Sequence, residues 1–139
     1  LLNAQVLAAQ KVGLKVLYCV GETSEEQDSW EAVIGDQLDR GLAGVDKAKV
    51  AIAYEPIWSI GPGKTPADKP YIEKIARFVK QRTGGMDVVY GGGLKAENAA
   101  MLASIPEIDG GLIALTHFAG EIGFYPEEYL EIIQLYLGQ

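Results

Sequence analysis

The sequence predicts an α/β fold in which four parallel strands alternate with helices. Three observations predict it. Short, almost continuous apolar runs start near positions 15, 50, 86 and 111. Each run is followed by an amphipathic stretch with helical start and stop signals. The spacing between runs leaves room for a helical crossover, so successive strands lie parallel. Runs without polar alternation fit strands buried on both faces, as parallel sheets require. The 139 residues are 48% hydrophobic and 22% charged, which suits a packed core and not a disordered chain.

Taken in order, residues 1–12 read as a helix, with Leu2, Val6 and Ala9 on one face and Gly13 as its stop. Leu14–Val20 is the first strand. Ser24-Glu25-Glu26-Gln27 reads as a capping box with acids in the first turn. The helix after it places Trp30, Val33, Ile34, Leu38 and Leu42 on one face. Val50–Tyr54 is the second strand, and a loop rich in Gly and Pro runs from Glu55 to Pro66. A helix then starts near Asp68–Pro70, carries Tyr71, Ile72, Ile75, Phe78 and Val79, and ends at Gly84–Gly85. Met86–Tyr90 is the third strand, followed by Gly91-Gly92-Gly93 and a short helix through Asn98–Leu102. Gly111–Leu115 is the fourth strand. Pro126 opens a last helix, expected to pack through Leu130, Ile133 and Leu137.

An open sheet of four strands has two bare edges. The same repeat also fits half of a (β/α)8 barrel of roughly 250 residues. The pattern alone leaves both possibilities open. The chain starts with Leu1 inside a pattern that already reads as helix, so residues 1–139 are expected to form a single partial domain of a longer chain.

The net charge is −7, from 19 acids against 12 bases, and leaves no basic footprint for nucleic acid. No apolar run approaches the roughly 18 residues of a membrane span. A single cysteine, Cys19, allows no intrachain disulfide and no Cys-rich metal site, and suits a reducing compartment such as the cytoplasm. Cys19 is expected to be a packed core residue. No metal and no cofactor are expected.

Ligands of parallel α/β folds bind at the carboxyl ends of the strands. Four stretches stand there: Gly21-Glu22, Glu55-Pro56, Gly91-Gly92-Gly93 and Thr116-His117. A carboxylate at a strand tip, under a loop that closes and excludes water, can serve as a general base. Trp58 and Ile60 are large apolar residues in a glycine loop, and a lid closing on a ligand gives them a surface to bury against. Gly61, Gly63 and the triple glycine present unobstructed backbone amides, which suits a phosphate cradle.

The stretch Ala53-Tyr54-Glu55-Pro56-Ile57-Trp58-Ser59-Ile60-Gly61-Pro62-Gly63-Lys64-Thr65 resembles the catalytic-glutamate and lid segment of the triosephosphate isomerase family. Cys19-Val20-Gly21-Glu22, Tyr90-Gly91-Gly92-Gly93 and Ile108–Ile113 resemble further segments of that family, in the right order and spacing. The resemblance spans the whole chain and implies the C-terminal half of a TIM barrel, strands five to eight. It implies an aldose–ketose isomerase that interconverts glyceraldehyde 3-phosphate and dihydroxyacetone phosphate through an enediol(ate). Glu55 would be the general base. Pro56, Ile57 and Trp58, with Lys64, Thr65 and Pro66, would be the lid hinges, and Tyr90 a latch. Gly61 would donate its amide to the phosphate, with Gly93, Ala114 and Leu115 at the phosphate-binding positions. Glu22 would be a supporting polar residue behind the site. A homodimer of the full-length protein is the implied assembly.

The sequence departs from the family in two places. Gly93 stands where the family has serine, and Ala114-Leu115 stands where it has paired glycines. Leu115 should crowd a phosphate on the family's path, so another sugar phosphate, such as a tetrulose phosphate, is an alternative substrate. By the resemblance, the family's asparagine and lysine after its first strand and its histidine electrophile after its fourth would lie in segments before Leu1. His117 follows the last strand and is read as a loop or packing residue. The chain alone is therefore expected to be inactive, and a non-catalytic half-barrel module is a further alternative.

Overall fold

The computed structural model describes residues 1–139. Helix α1 (Leu2–Lys11) leads into β1 (Val16–Val20), followed by α2 (Trp30–Gly41), β2 (Val50–Tyr54), α3 (Lys69–Thr83), β3 (Val88–Tyr90), α4 (Ala96–Ala103), β4 (Gly110–Gly111) and α5 (Pro126–Leu137). The strands form one parallel sheet in the order β1-β2-β3-β4. A sheet in chain order, with a helix after every strand, is the arrangement of half a (β/α)8 barrel.

The register sorts side chains onto two faces. Tyr18, Ile52 and Val88 align, as do Val20, Tyr54 and Tyr90, and all six are buried under the helices. Leu17, Cys19, Ala51, Ala53 and Val89 take the opposite face by the period of two. Here the expectation of strands covered on both sides fails at β1. Leu17 is 46% exposed and Cys19 is exposed, because nothing packs on the far face of this outermost strand.

The helices follow their local chemistry. Asp68 caps α3, its carboxylate accepting from the Tyr71 amide at 3.0 Å, and Pro70 sits in the first turn, where its missing amide costs nothing. Gly84 ends the helix with φ of 77°. In between, Ile72, Ile75, Ala76 and Val79 enter the core. The capping box lies one residue earlier than the sequence suggests. Thr23 is the cap, and its amide donates to Glu26 Oε2 at 2.9 Å, followed by a 3-10 stretch over Ser24–Ser29 before α2 begins.

Three further differences concern edges and faces. The first and third strands begin two residues later than expected, at Val16 and Val88. The fourth is only Gly110–Gly111, with Leu112 making a last ladder bond to the Tyr90 carbonyl at 2.8 Å. As an edge strand it pairs on one side only, and the chain turns away at Ala114 and Leu115. Helix α5 packs through Ile132, which is 2% exposed, whereas Leu130 and Leu137 point outward. Helix α4 is its main neighbour, which sets this rotation.

Candidate active site

The carboxyl ends of β1, β2 and β3 bring Glu22, Glu55 and the triple glycine together. The Glu55 amide donates to the Val20 carbonyl at 2.8 Å, and the Gly91 amide donates to the Tyr54 carbonyl at 2.8 Å, so the ladder carries on into the site. The approach is close enough to require glycine. A Cβ on Gly91 would lie 2.7 Å from Glu55 Cγ, and one on Gly21 would overlap the Glu55 carbonyl. Gln37 clamps Gly21 from behind, accepting from its amide and donating to its carbonyl, both at 2.9 Å.

Glu55 is half-buried and lines a cavity of about 150 Å3 together with Ile60, Gly61, Gly91, Gly93 and Leu115. Cys19 is next to it, on the open face and not in the core as the sequence suggested. Partial desolvation by its neighbours pushes the thiol pKa up, and the adjoining Glu55 charge pushes the same way.

Glu22 is fully buried, which long acidic side chains tolerate only when partnered. Its Oε1 accepts from Tyr71 Oη at 2.8 Å, Trp58 Nε1 at 2.9 Å and Tyr54 Oη at 3.0 Å. Burial first, and the Glu22 charge after it, raise the pKa of Tyr54 far above the ordinary tyrosine value; Tyr71 is raised too, by burial and its bond to Glu22. Trp58 also packs edge-on against Tyr71 at 5.5 Å. Trp58 is therefore fixed by a carboxylate and an aromatic ring, with Pro56 buried and Ile57 exposed beside it.

The glycine cradle is held by its carbonyls. Gly92 O accepts from Ser59 Oγ at 2.9 Å and Tyr90 Oη at 3.0 Å, and Gly93 O accepts from Asn98 Nδ2 at 2.9 Å. Neither the Gly93 amide nor the Gly61 amide donates to a backbone carbonyl. Both residues line the Glu55 cavity with positive φ, 106° and 108°. At that φ a serine would be strained, which explains glycine at position 93. At the far end of this loop Lys64 and Thr65 are exposed and Pro66 half-buried. The neighbouring Ala67 amide, with the Ser59 hydroxyl, partly offsets the burial that raises the Tyr90 pKa.

Ala114 and Leu115 line the Glu55 cavity. His117 lies apart, pairing its Nδ1 with Glu128 Oε1 at 2.9 Å. Sequence reasoning passed over Ser59, Tyr54, Tyr71 and Phe118. Ser59 and the tyrosines act through tertiary pairings that no local pattern marks. Phe118 had a signal in the length of the stretch between β4 and Pro126, well beyond the usual 2–6 residues of such connections. No three His, Cys, Asp or Glu side chains are grouped to hold a metal ion, and no helix is long and apolar enough to cross a membrane.

A triosephosphate isomerase from Synechocystis sp. is 39% identical over 134 residues, covering 94% of this chain and 53% of the relative. One from Halorhodospira halophila is 39% identical over 140 residues, covering 91% and 53%. One from Geobacter metallireducens is 40% identical over 124 residues, covering 80% and 49%. The chain thus spans about half the length of the curated relatives it matches. The family model for triosephosphate isomerase matches residues 1–134, and the chain belongs to that family.

Proposed function

We propose that residues 1–139 are the C-terminal half of an aldose–ketose isomerase acting on a small phosphorylated sugar, with glyceraldehyde 3-phosphate and dihydroxyacetone phosphate as the substrate pair. One observation carries this reading: at the carboxyl ends of the strands Glu55 shares a single small cavity with Gly61 and Gly93, whose amides donate to no backbone carbonyl. The amides suit a phosphate, and the carboxylate suits a proton on carbon.

Glu55 takes the proton from the carbon next to the carbonyl, and the C–H electron pair moves into an enediolate. The same carboxylic acid returns a proton to the neighbouring carbon, while the hydroxyl proton passes from one enediolate oxygen to the other, so that the carbonyl moves by one carbon. No electrons leave the substrate, so the step asks for no redox cofactor. The enediolate oxygen needs an electrophile, which the family resemblance puts in the N-terminal half of the barrel. The Glu55–Pro66 loop is the lid, hinged at Pro56–Trp58 and Lys64–Pro66 and latched by Tyr90, with Glu22 fixing the first hinge. The full-length protein is proposed to be a cytoplasmic homodimer.

A different sugar phosphate, such as a tetrulose phosphate, is the second reading. Ala114 and Leu115 favour it, since they line the cavity where the family has paired glycines. The test is isomerase assay of the full-length protein with triose and tetrulose phosphates, alongside Glu55→Gln. Loss of a positioned general base should lower kcat by about 10²–10⁴. Unchanged turnover in Glu55→Gln overturns the assignment.

A further inference from the structure

Two cavities meet at one side chain. The first, about 150 Å3, holds Glu55, Gly61 and Gly93. The second, about 430 Å3, is lined by Lys95, Thr116, His117 and Glu128 among others. Phe118 is the one residue that lines both. The Glu55 side of its ring is mainly apolar. Toward the second cavity Lys95 Nζ lies 4.3 Å from the ring centroid, a cation–π distance.

The segment that carries the ring is held in place. It is a hairpin, closed by an antiparallel bridge between His117 and Gly123. The Gly123 carbonyl accepts from the Thr116 and His117 amides, both at 3.0 Å, and Thr116 Oγ1 accepts from the Tyr125 amide at 2.7 Å. His117 reaches α5 through Glu128 at 2.9 Å and meets the Tyr125 ring edge-on at 5.4 Å. These contacts fasten Thr116 and His117, which directly precede Phe118, to Gly123, Tyr125 and Glu128.

We propose that Phe118 determines the length of phosphorylated sugar the site accepts, by closing the Glu55 cavity off from the Lys95–His117 cavity behind it. This rests on the sugar-phosphate isomerase reading and deepens it. A phosphate cannot sit against an aromatic face without losing its hydrogen bonds, so the ring is a hard stop for the charged end of a longer substrate. With the ring gone, the two cavities join, and the charged end of a longer sugar can reach Lys95, which then pairs with an anion instead of a ring.

The experiment uses the complete isomerase and a panel of three-, four- and five-carbon ketose phosphates, with kcat and KM measured separately. Phe118→Ala should shift relative kcat/KM toward the longer sugars by about tenfold or more, in line with what one chain unit is worth in a pocket. The gain should appear mainly in KM and be reversed when Lys95→Met is added. Phe118→Leu should move the profile less, in the same direction. Phe124→Ala, on the same hairpin but outside both cavities, should leave the profile where it was. A chain-length profile unmoved within twofold in Phe118→Leu, and in Phe118→Ala if it folds, overturns the proposal. A parent enzyme inactive on every sugar in the panel overturns the isomerase reading itself, and this inference with it.

Discussion

Three donors converge on a single oxygen of Glu22, and all belong to aromatic side chains from different parts of the fold. Their burial has a consequence for pH. The pKa of Tyr54 is raised in the folded protein, by burial first and by Glu22 second; Tyr71 is raised as well, by burial and then by its bond to Glu22. A group with a raised pKa holds its proton more tightly when folded. Its stabilising contribution is complete below the unfolded tyrosine value of about 10, and is lost as pH climbs above that value. The urea midpoint should therefore fall between about pH 9 and pH 11, and Tyr54→Phe should flatten that fall. An equally steep fall in Tyr54→Phe would show that other groups carry the alkaline loss.

Among the elements, α3 does most to connect core and site. Its buried Ile72, Ile75, Ala76 and Val79 dock it on the sheet, and its first turn presents Tyr71 to Glu22. That turn depends on Asp68, which satisfies the Tyr71 amide. Asp68→Ala should cost about 1 kcal/mol, read as a lower urea midpoint at an unchanged m-value. The hairpin before α5 is the contrasting element. It is built from side-chain fastenings, Thr116 to Tyr125 and His117 to Glu128, instead of from an apolar face. Such an element is invisible to hydrophobic periodicity, and its role in shaping the Glu55 cavity emerges only from the folded chain.

At the scale of the whole molecule, the sheet ends in two unpaired edges, at β1 and at β4. Leu17 and Cys19 lie on an uncovered face next to the first of them, and α1 adds the exposed Leu2 beside an apolar groove. Parallel sheets are stable when both faces are covered, and bare strand edges recruit partners. The 139-residue chain on its own should therefore associate in a concentration-dependent way, as read by sedimentation or size-exclusion chromatography. A compact monomer across micromolar concentrations would contradict this.

The sequence by itself determined the order of strands and helices, because apolar runs, caps and glycine stops are local signals. Val50–Tyr54 and the Pro126 start of α5 stand where the pattern put them. It also marked Glu55, Gly61 and the glycine cradle, since strand tips and bare amides can be read from residue type and spacing. Tertiary structure alone decided the rest. Which face of α5 is buried depends on α4. Cys19 is exposed because nothing packs on that face of β1, and Leu115 and Phe118 share a cavity with Glu55 because the chain folds back after β4. Each of these outcomes is a contact between residues far apart in the chain, and no local periodicity carries information about such pairs.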